Sequence, residues 1–286
     1  MTPYPQHAFP QGGFPPDLVG ALLARAIAGH ARGEPPRILA ISGLQGSGKS
    51  TLAEQVVAAA GAAGLHAATL SIDDVYLTRS ERLRLAREVH PLLAKRGPPG
   101  THDVALALQV FDALARGEPA RLPRFDKLGD DRAPESQWLP VTQALDLLVF
   151  EGWFVGTPAQ DEAALATPLN ALERDEDSDG RWRHWCNAAL ARDYPALWSR
   201  FDHLLFLQPP DFDTVRTWRW QQEQALLARE PHRGGMDQAQ LARFIDHYER
   251  VSRQALARLP AIADSTLPLD AERRPLQAAA RFDGGP

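Results

Sequence analysis

The chain has 286 residues, of which 44% are apolar and 23% charged, and its formal net charge is −5. This is the composition of a globular chain long enough for one large or two ordinary domains, and an acidic balance without a basic tail argues against nucleic acid as the main partner. The single cysteine, Cys186, excludes an intrachain disulfide framework and a cysteine-based zinc site, and no apolar run reaches the roughly 20 residues of a membrane span. No Lys or Arg precedes Arg25, so neither a signal nor a transit peptide is expected, and the reading is a cytoplasmic protein of open oligomeric state.

Residues 1–16, rich in Pro, Gly and Phe, read as an irregular arm. Asp17 then caps a helical pattern through Leu18, Ala21, Leu22 and Ala26, which Pro35 and Pro36 close off. Arg37–Ser42 is an apolar run that suits a buried parallel strand. A glycine-rich turn leads into a helix over Lys49–Ala60, followed by a strand over His66–Ser71. A helix over Asp103–Arg116, a strand over Leu145–Phe150 and a helix over Arg181–Arg192 come next. The acidic stretch Leu172–Gly180 reads as a solvated loop or insertion. A strand over His203–Gln208 precedes helices over Asp211–Arg229 and Asp237–Leu259, the last with Asp237 and Gln240 at capping-box spacing. Residues 273–286 read as a tail with little core content. Strands alternating with helices predict an α/β domain over 17–272 whose parallel sheet is covered on both faces. Segments of about 79–140 and about 157–200 project from it as an acceptor side and an insert.

Gly43-Leu-Gln45-Gly46-Ser47-Gly48-Lys49-Ser50-Thr51 matches G-x-x-x-x-G-K-[ST] in full, between a predicted strand and a predicted helix. Glycines let the backbone curl so that successive N–H groups face phosphate oxygens, and the helix N-terminus adds partial positive charge. Lys49 is expected at the β- and γ-phosphates of ATP and the Ser50 hydroxyl on Mg²⁺, so ATP and Mg²⁺ are the expected cofactors.

In doubly wound sheets, ligands sit at the carboxyl ends of the strands. Two of the predicted strands end in acids, at Asp73-Asp74 and at Glu151. Glu151 is assigned to the Mg²⁺ shell with Ser50. Asp73 is assigned to an acceptor hydroxyl, as base or as orienting group. If strand geometry persisted, Asp73 and Asp74 would point to opposite sides. One would then face the crevice and the other would cap a turn.

Six segments occur in order: the phosphate loop, Ser71-Ile-Asp-Asp-Val-Tyr-Leu77, Arg96-Gly-Pro-Pro-Gly-Thr-His-Asp103, Leu122-Pro-Arg-Phe-Asp-Lys127, Glu151-Gly-Trp153 and Trp218-Arg-Trp-Gln-Gln-Glu223. Together they resemble the plant-type D-glycerate 3-kinase family, itself similar to uridine kinase, pantothenate kinase and phosphoribulokinase. The likeness runs from about Arg37 to Arg250. It implies a P-loop NTPase fold, a three-layer α/β/α domain with a mostly parallel central sheet and an inserted helical lid and acceptor lobe. It implies that Asp73 serves the acceptor hydroxyl and Glu151 the metal. Tyr76, Arg124, Asp126, Lys127 and Arg132 are then acceptor-binding residues, and the helix carrying Arg216 and Arg219 is a lid over the triphosphate. The implied reaction is transfer of the ATP γ-phosphate to D-glycerate, giving 3-phosphoglycerate. The alternatives are a kinase of another small alcohol or a non-catalytic ATP-binding module.

A glycerate carboxylate wants a cation, preferably arginine. Arg96, Arg124, Lys127 and Arg132 lie on the acceptor side, while His102 and Asp103 are candidates for an acceptor hydroxyl. Asp103 also stands where a helix cap belongs. Arg216 and Arg219, three apart, share a helix face and would neutralise charge on the phosphates. Glu230–Met236 reads as the lid loop, Trp153 as a wall of the crevice, and Trp138, Trp218 and Trp220 as packing residues.

Overall fold

Uninterrupted apolar strands bury both faces, and here they form the middle of the molecule. A computed structural model describes residues 13–229 and 236–276. The expectations for residues 1–12, for most of the lid loop (230–235) and for residues 277–286 lie outside the described residues.

In chain order, helix α1 (Pro16–Ala26) precedes strand β1 (Arg37–Gly43), helix α2 (Lys49–Ala62) and strand β2 (Ala67–Ser71). A 3₁₀ turn over Ile72–Val75 leads to α3 (Arg79–Glu88) and α4 (Val104–Ala115). Short strands β3 (Ala120–Leu122), β4 (Phe125–Asp126), β5 (Asp131–Arg132) and β6 (Leu139–Val141) precede β7 (Leu147–Gly152). The second half holds α5 (Ala171–Glu176), α6 (Arg181–Arg192), α7 (Pro195–Trp198), β8 (His203–Gln208), α8 (Phe212–Arg229), α9 (Gln238–Ile262) and β9 (Ser265–Pro268).

Among the described residues the central sheet has five strands in the order β2-β7-β1-β8-β9, all parallel. Helices flank it in the expected three-layer α/β/α arrangement. β1 and β7 are buried along nearly their whole length, and Ile41 lies in register with Glu151. Ser71 of β2 lies against Glu151 on the other side, so β7 stands between the glycine-rich turn and the Asp73 turn. The edge strand β9 ends in Pro268, tolerable where no further strand needs the N–H. No helix among the described residues is long and apolar enough to cross a membrane.

Two sequence readings are corrected. The acidic stretch from Leu172 is not a solvated loop. Through Glu176 it folds as α5 and then turns into α6, with Glu173 and Asp177 fully buried. Burial is tolerable because each acid meets an arginine: Arg250 at 2.6 Å from Glu173 and Arg183 at 3.0 Å from Asp177. At the chain's other end, Arg273 is buried and packs into the interior.

The acceptor side depends on Arg82 of α3, which is fully buried. It donates to the carbonyls of Leu77, Ala94 and Asp130 at 3.3, 3.0 and 2.5 Å, and pairs with the Asp130 carboxylate at 3.1 Å. It thereby fixes the β4–β5 turn, where Asp130 holds a left-handed φ of 54°. Arg82→Met orphans these carbonyls and is expected to cost roughly 2–4 kcal/mol of stability. Urea unfolding reads that loss, and hydrogen exchange is expected to show residues 127–132 losing protection first.

Candidate active site

The glycine-rich turn departs from β1 at Gly43 and enters α2 at Lys49. Gly46 and Gly48 hold φ of 85° and 88°, a region that glycine alone visits at no steric cost. A Cβ on Gly46 would also stand 2.7 Å from Trp218 Cβ. No side chain caps α2, so its first N–H groups, at Lys49, Ser50 and Thr51, await acceptors. The hydroxyl of Ser47 and the amide nitrogen of Gln45 are buried here without partners. An uncapped helix start behind a positive-φ turn has the geometry to receive an anion.

Ser50 Oγ donates to Glu151 Oε1 at 3.0 Å, while Glu151 Oε2 is buried with no partner. The pair thus offers a hydroxyl and an unsatisfied carboxylate oxygen, the hard donors that Mg²⁺ takes. Among the described residues no three His, Cys, Asp or Glu side chains gather as a metal cage. A divalent ion here would draw its remaining ligands from phosphate and water.

After β2 the chain does not stay extended. Ser71 Oγ accepts from the Asp73 N–H at 3.2 Å and starts the 3₁₀ turn, so the two acids do not alternate as on a strand. Asp73 accepts from the Tyr76 hydroxyl at 2.9 Å on one oxygen and from Lys127 Nζ at 2.9 Å on the other. Its side chain keeps 32% exposure and can meet a ligand. Asp74 turns to Arg124 at 3.2 Å and to the Phe125 N–H at 3.3 Å.

The two acids titrate in opposite directions. Burial pushes Asp73 up, but the Lys127 ammonium, Lys49 and the Tyr76 hydroxyl outweigh it and hold the carboxyl well below the usual range. Burial also pushes Asp74 up, and there Arg124 and Lys127 do not compensate, leaving it at about 6. Lys127 is correspondingly raised by Asp73 and, more weakly, by Glu151 and Asp74. The two acids, two lysines and Glu151 therefore share one field.

Tyr76 and His102 lie on adjacent segments joined by an isolated antiparallel bridge, and their rings stack at 4.4 Å. Burial lowers His102 to about 3 and keeps it neutral. Its Nδ1 lies 2.7 Å from the hydroxyl of Tyr194, a hydroxyl that accepts from the Gly100 N–H at 2.8 Å. Asp103 caps α4 through the Leu106 N–H and binds Arg132 at 2.9 Å, so its cap reading holds. Arg132 also donates to the Tyr76 carbonyl.

Several expected ligand arginines are committed elsewhere. Arg96 pairs with Asp130, donates to the Lys127 carbonyl and lies over the Phe125 ring. It braces the hairpin behind the site. Arg216 pairs with Glu249 and Asp246 of α9 at 3.0 and 3.4 Å. Arg219 lies 3.6 Å from Glu223 and over Phe244. The acids and aromatics of α9 hold the α8 arginines in this state. Asp126 is exposed and accepts from the Leu128 N–H within its own turn.

Sequence reading missed Tyr194 and Tyr248. Tyr248, on α9, packs its ring 5.0 Å from that of Trp153 and its hydroxyl against the Arg96 carbonyl at 3.4 Å. Neither residue stands in a local motif, so only the fold brings them here.

Carboxyl titration by NMR is expected to place Asp74 near pH 6 while Asp73 stays ionised through the acid range where an ordinary Asp protonates. Asp73, with its depressed pKa, stabilises the fold above its unfolded pKa, and that contribution is lost as pH falls through the folded value. The Asp74 contribution has the opposite sign, present at low pH and lost as pH rises through about 6. Lys127→Met is expected to bring the Asp73 midpoint back up.

No family model matches the chain. It is 36% identical over 228 residues to the uncharacterized kinase mug58 of Schizosaccharomyces pombe, an alignment covering 74% of this chain and 78% of that protein. It is 28% identical over 267 residues to the chloroplastic D-glycerate 3-kinase of Arabidopsis thaliana, covering 85% of this chain and 55% of that protein. The solved D-glycerate 3-kinase of Cryptococcus neoformans superposes with a TM-score of 0.72 at 28% identity, over 92% of this chain and 96% of that one.

Proposed function

Since the chain belongs to the family of P-loop kinases that includes mug58 and the Arabidopsis D-glycerate 3-kinase, it is an ATP-dependent phosphotransferase, and we propose that its acceptor is D-glycerate, phosphorylated on the 3-hydroxyl. The observation that carries this reading is the Asp73–Lys127 pair at 2.9 Å, both side chains about a third exposed and one strand away from the glycine-rich turn. A carboxylate beside a lysine suits an acceptor with a hydroxyl to orient and an acid group to neutralise. Arg124, 34% exposed, adds a second cation close by. The names of the Arabidopsis and Cryptococcus relatives support the same acceptor.

On this reading the turn from Gly43 to Thr51 cradles the triphosphate, with Lys49 at the β- and γ-phosphates. Ser50 and Glu151 would hold the Mg²⁺ of MgATP, which supplies positive charge to phosphate oxygens when bound. The acceptor hydroxyl donates its hydrogen bond to Asp73. Its oxygen then attacks the γ-phosphorus as the bond to the β–γ bridging oxygen breaks; the hydroxyl proton passes late in the transfer to Asp73 and from there to water, and ADP leaves. So acidic a carboxyl is a weak base, so Asp73 contributes mainly by aiming the hydroxyl. Phosphoryl transfer tolerates this, because its loose transition state needs little early proton removal. Lys127 holds Asp73 ionised until the acceptor arrives and then faces the acceptor carboxylate.

Turnover measured as ADP release is expected with D-glycerate and not with uridine or pantothenate. ³¹P NMR of the product is expected to show the 3-phosphate. Uridine or pantothenate turnover without glycerate turnover would replace the acceptor and leave the phosphotransferase intact. Asp73→Asn is expected to lower kcat by about 10²–10⁴-fold while ATP still binds. Lys49→Ala is expected to weaken ATP binding and slow turnover together. Equilibrium titration beside steady-state kinetics separates the two.

A further inference from the structure

Arg273 follows the edge strand β9, in a segment with no role in the reaction as described above. The turn that carries it is built on Asp270, whose carbonyl accepts from the Arg273 N–H at 3.0 Å and whose carboxylate accepts from the N–H groups of Glu272 and Arg274. Arg273 itself holds φ of 66°, a left-handed conformation costly for a side chain with a Cβ. This conformation accompanies a guanidinium turned inward. Only 6% of the residue is exposed, its Nε donates to the Gly46 carbonyl at 2.7 Å, and an Nη donates to the Trp218 carbonyl at 3.4 Å.

The group also lies 5.1 Å from the centre of the fully buried Trp218 ring, and the indole N–H donates back to the Ala271 carbonyl at 2.7 Å. One cation thus ties together the glycine-rich turn, helix α8 and the chain after β9. Among the described residues no carboxylate pairs with it, although fifteen other arginines make ion pairs. A buried cation without a counter-ion is costly, and a bound polyanion nearby relieves that cost. Burial lowers its proton affinity, and no neighbouring acid offsets the shift.

We infer that Arg273 is a nucleotide-positioning residue: it grips the carbonyl of the phosphate-binding turn and lends that turn an unneutralised charge, to be balanced by a nucleoside di- or triphosphate. The inference rests on the proposed nucleotide role of the turn. The acceptor side lies beyond β7, so the effect falls on the nucleotide and spares the acceptor.

The test compares Arg273→Met and Arg273→Lys with the wild type, by calorimetric titration with ADP and Mg²⁺ and by steady-state kinetics. Arg273→Met is expected to weaken ADP binding and raise KM for ATP roughly ten- to thirty-fold, with the acceptor KM unchanged within about twofold. Arg273→Lys keeps the charge and is expected to recover most of the affinity. A purely structural residue would lower the melting temperature of the ligand-free protein and leave ADP affinity as it was. That result, or an Arg273→Lys variant no better than Arg273→Met, would overturn the inference. If Arg273→Met fails to fold, Arg273→Gln, which keeps a donor and removes the charge, takes its place: a roughly tenfold loss of ADP affinity supports the assignment, and affinity within about threefold of wild type overturns it. A wild type that binds no ADP would instead refute the nucleotide reading of the turn.

Discussion

The proposed acceptor site depends on one ionised carboxylate held between a lysine and a tyrosine. Asp73 stands at the end of β2, Tyr76 three residues on, and Lys127 on the β4–β5 hairpin of the acceptor side. Burial alone would push this carboxyl up, as it does at its neighbour Asp74, where weaker pairing leaves the group at about 6. The pairing therefore does two things at once. It keeps a hydrogen-bond acceptor charged inside the protein, and it docks the hairpin onto the sheet. The hairpin is braced from behind by Arg82 and Arg96, which both converge on Asp130. Cations expected to touch substrate thus divide into those paired with Asp73 and Asp74 and those bracing the hairpin behind them.

On the nucleotide side the parts are simpler and more local. A turn with two left-handed glycines, an uncapped helix start and a serine facing a half-satisfied glutamate all follow from consecutive residues or adjacent strands. The register of β7 between β1 and β2 places Glu151 between the turn and Asp73. In the proposed reaction, this spacing lets a single phosphoryl group meet both the cradle and the acceptor. The α8 arginines do not join them in this state, because α9 presents Asp246, Glu249 and Phe244 to hold them.

The difference in locality explains what could be read in advance. The glycine-rich turn, β1, β2, β7 and β8 were legible because each is a contiguous pattern: a complete motif or an apolar run. The Asp237–Gln240 capping box was legible for the same reason. The edge strand β9 was not, since Ser-Thr-Leu-Pro has neither length nor alternation. Leu172–Gly180 misled because its acids look solvated in sequence, and only the fold supplies Arg250 and Arg183. At Asp73 strand alternation was the wrong geometry: a local 3₁₀ turn brings Tyr76 to it, and tertiary structure brings Lys127. Tyr194, Tyr248 and Arg273 reach the site from far along the chain and leave no local trace.

The most direct measurement is a crystal structure with a non-hydrolysable ATP analogue, Mg²⁺ and D-glycerate bound together. The account predicts the γ-phosphate on the Gly43–Thr51 turn and the glycerate 3-hydroxyl within about 2.6–3.2 Å of an Asp73 carboxylate oxygen, on the γ-phosphate side. Glycerate bound with that hydroxyl turned away from Asp73, or a triphosphate seated anywhere but on that turn, would contradict it.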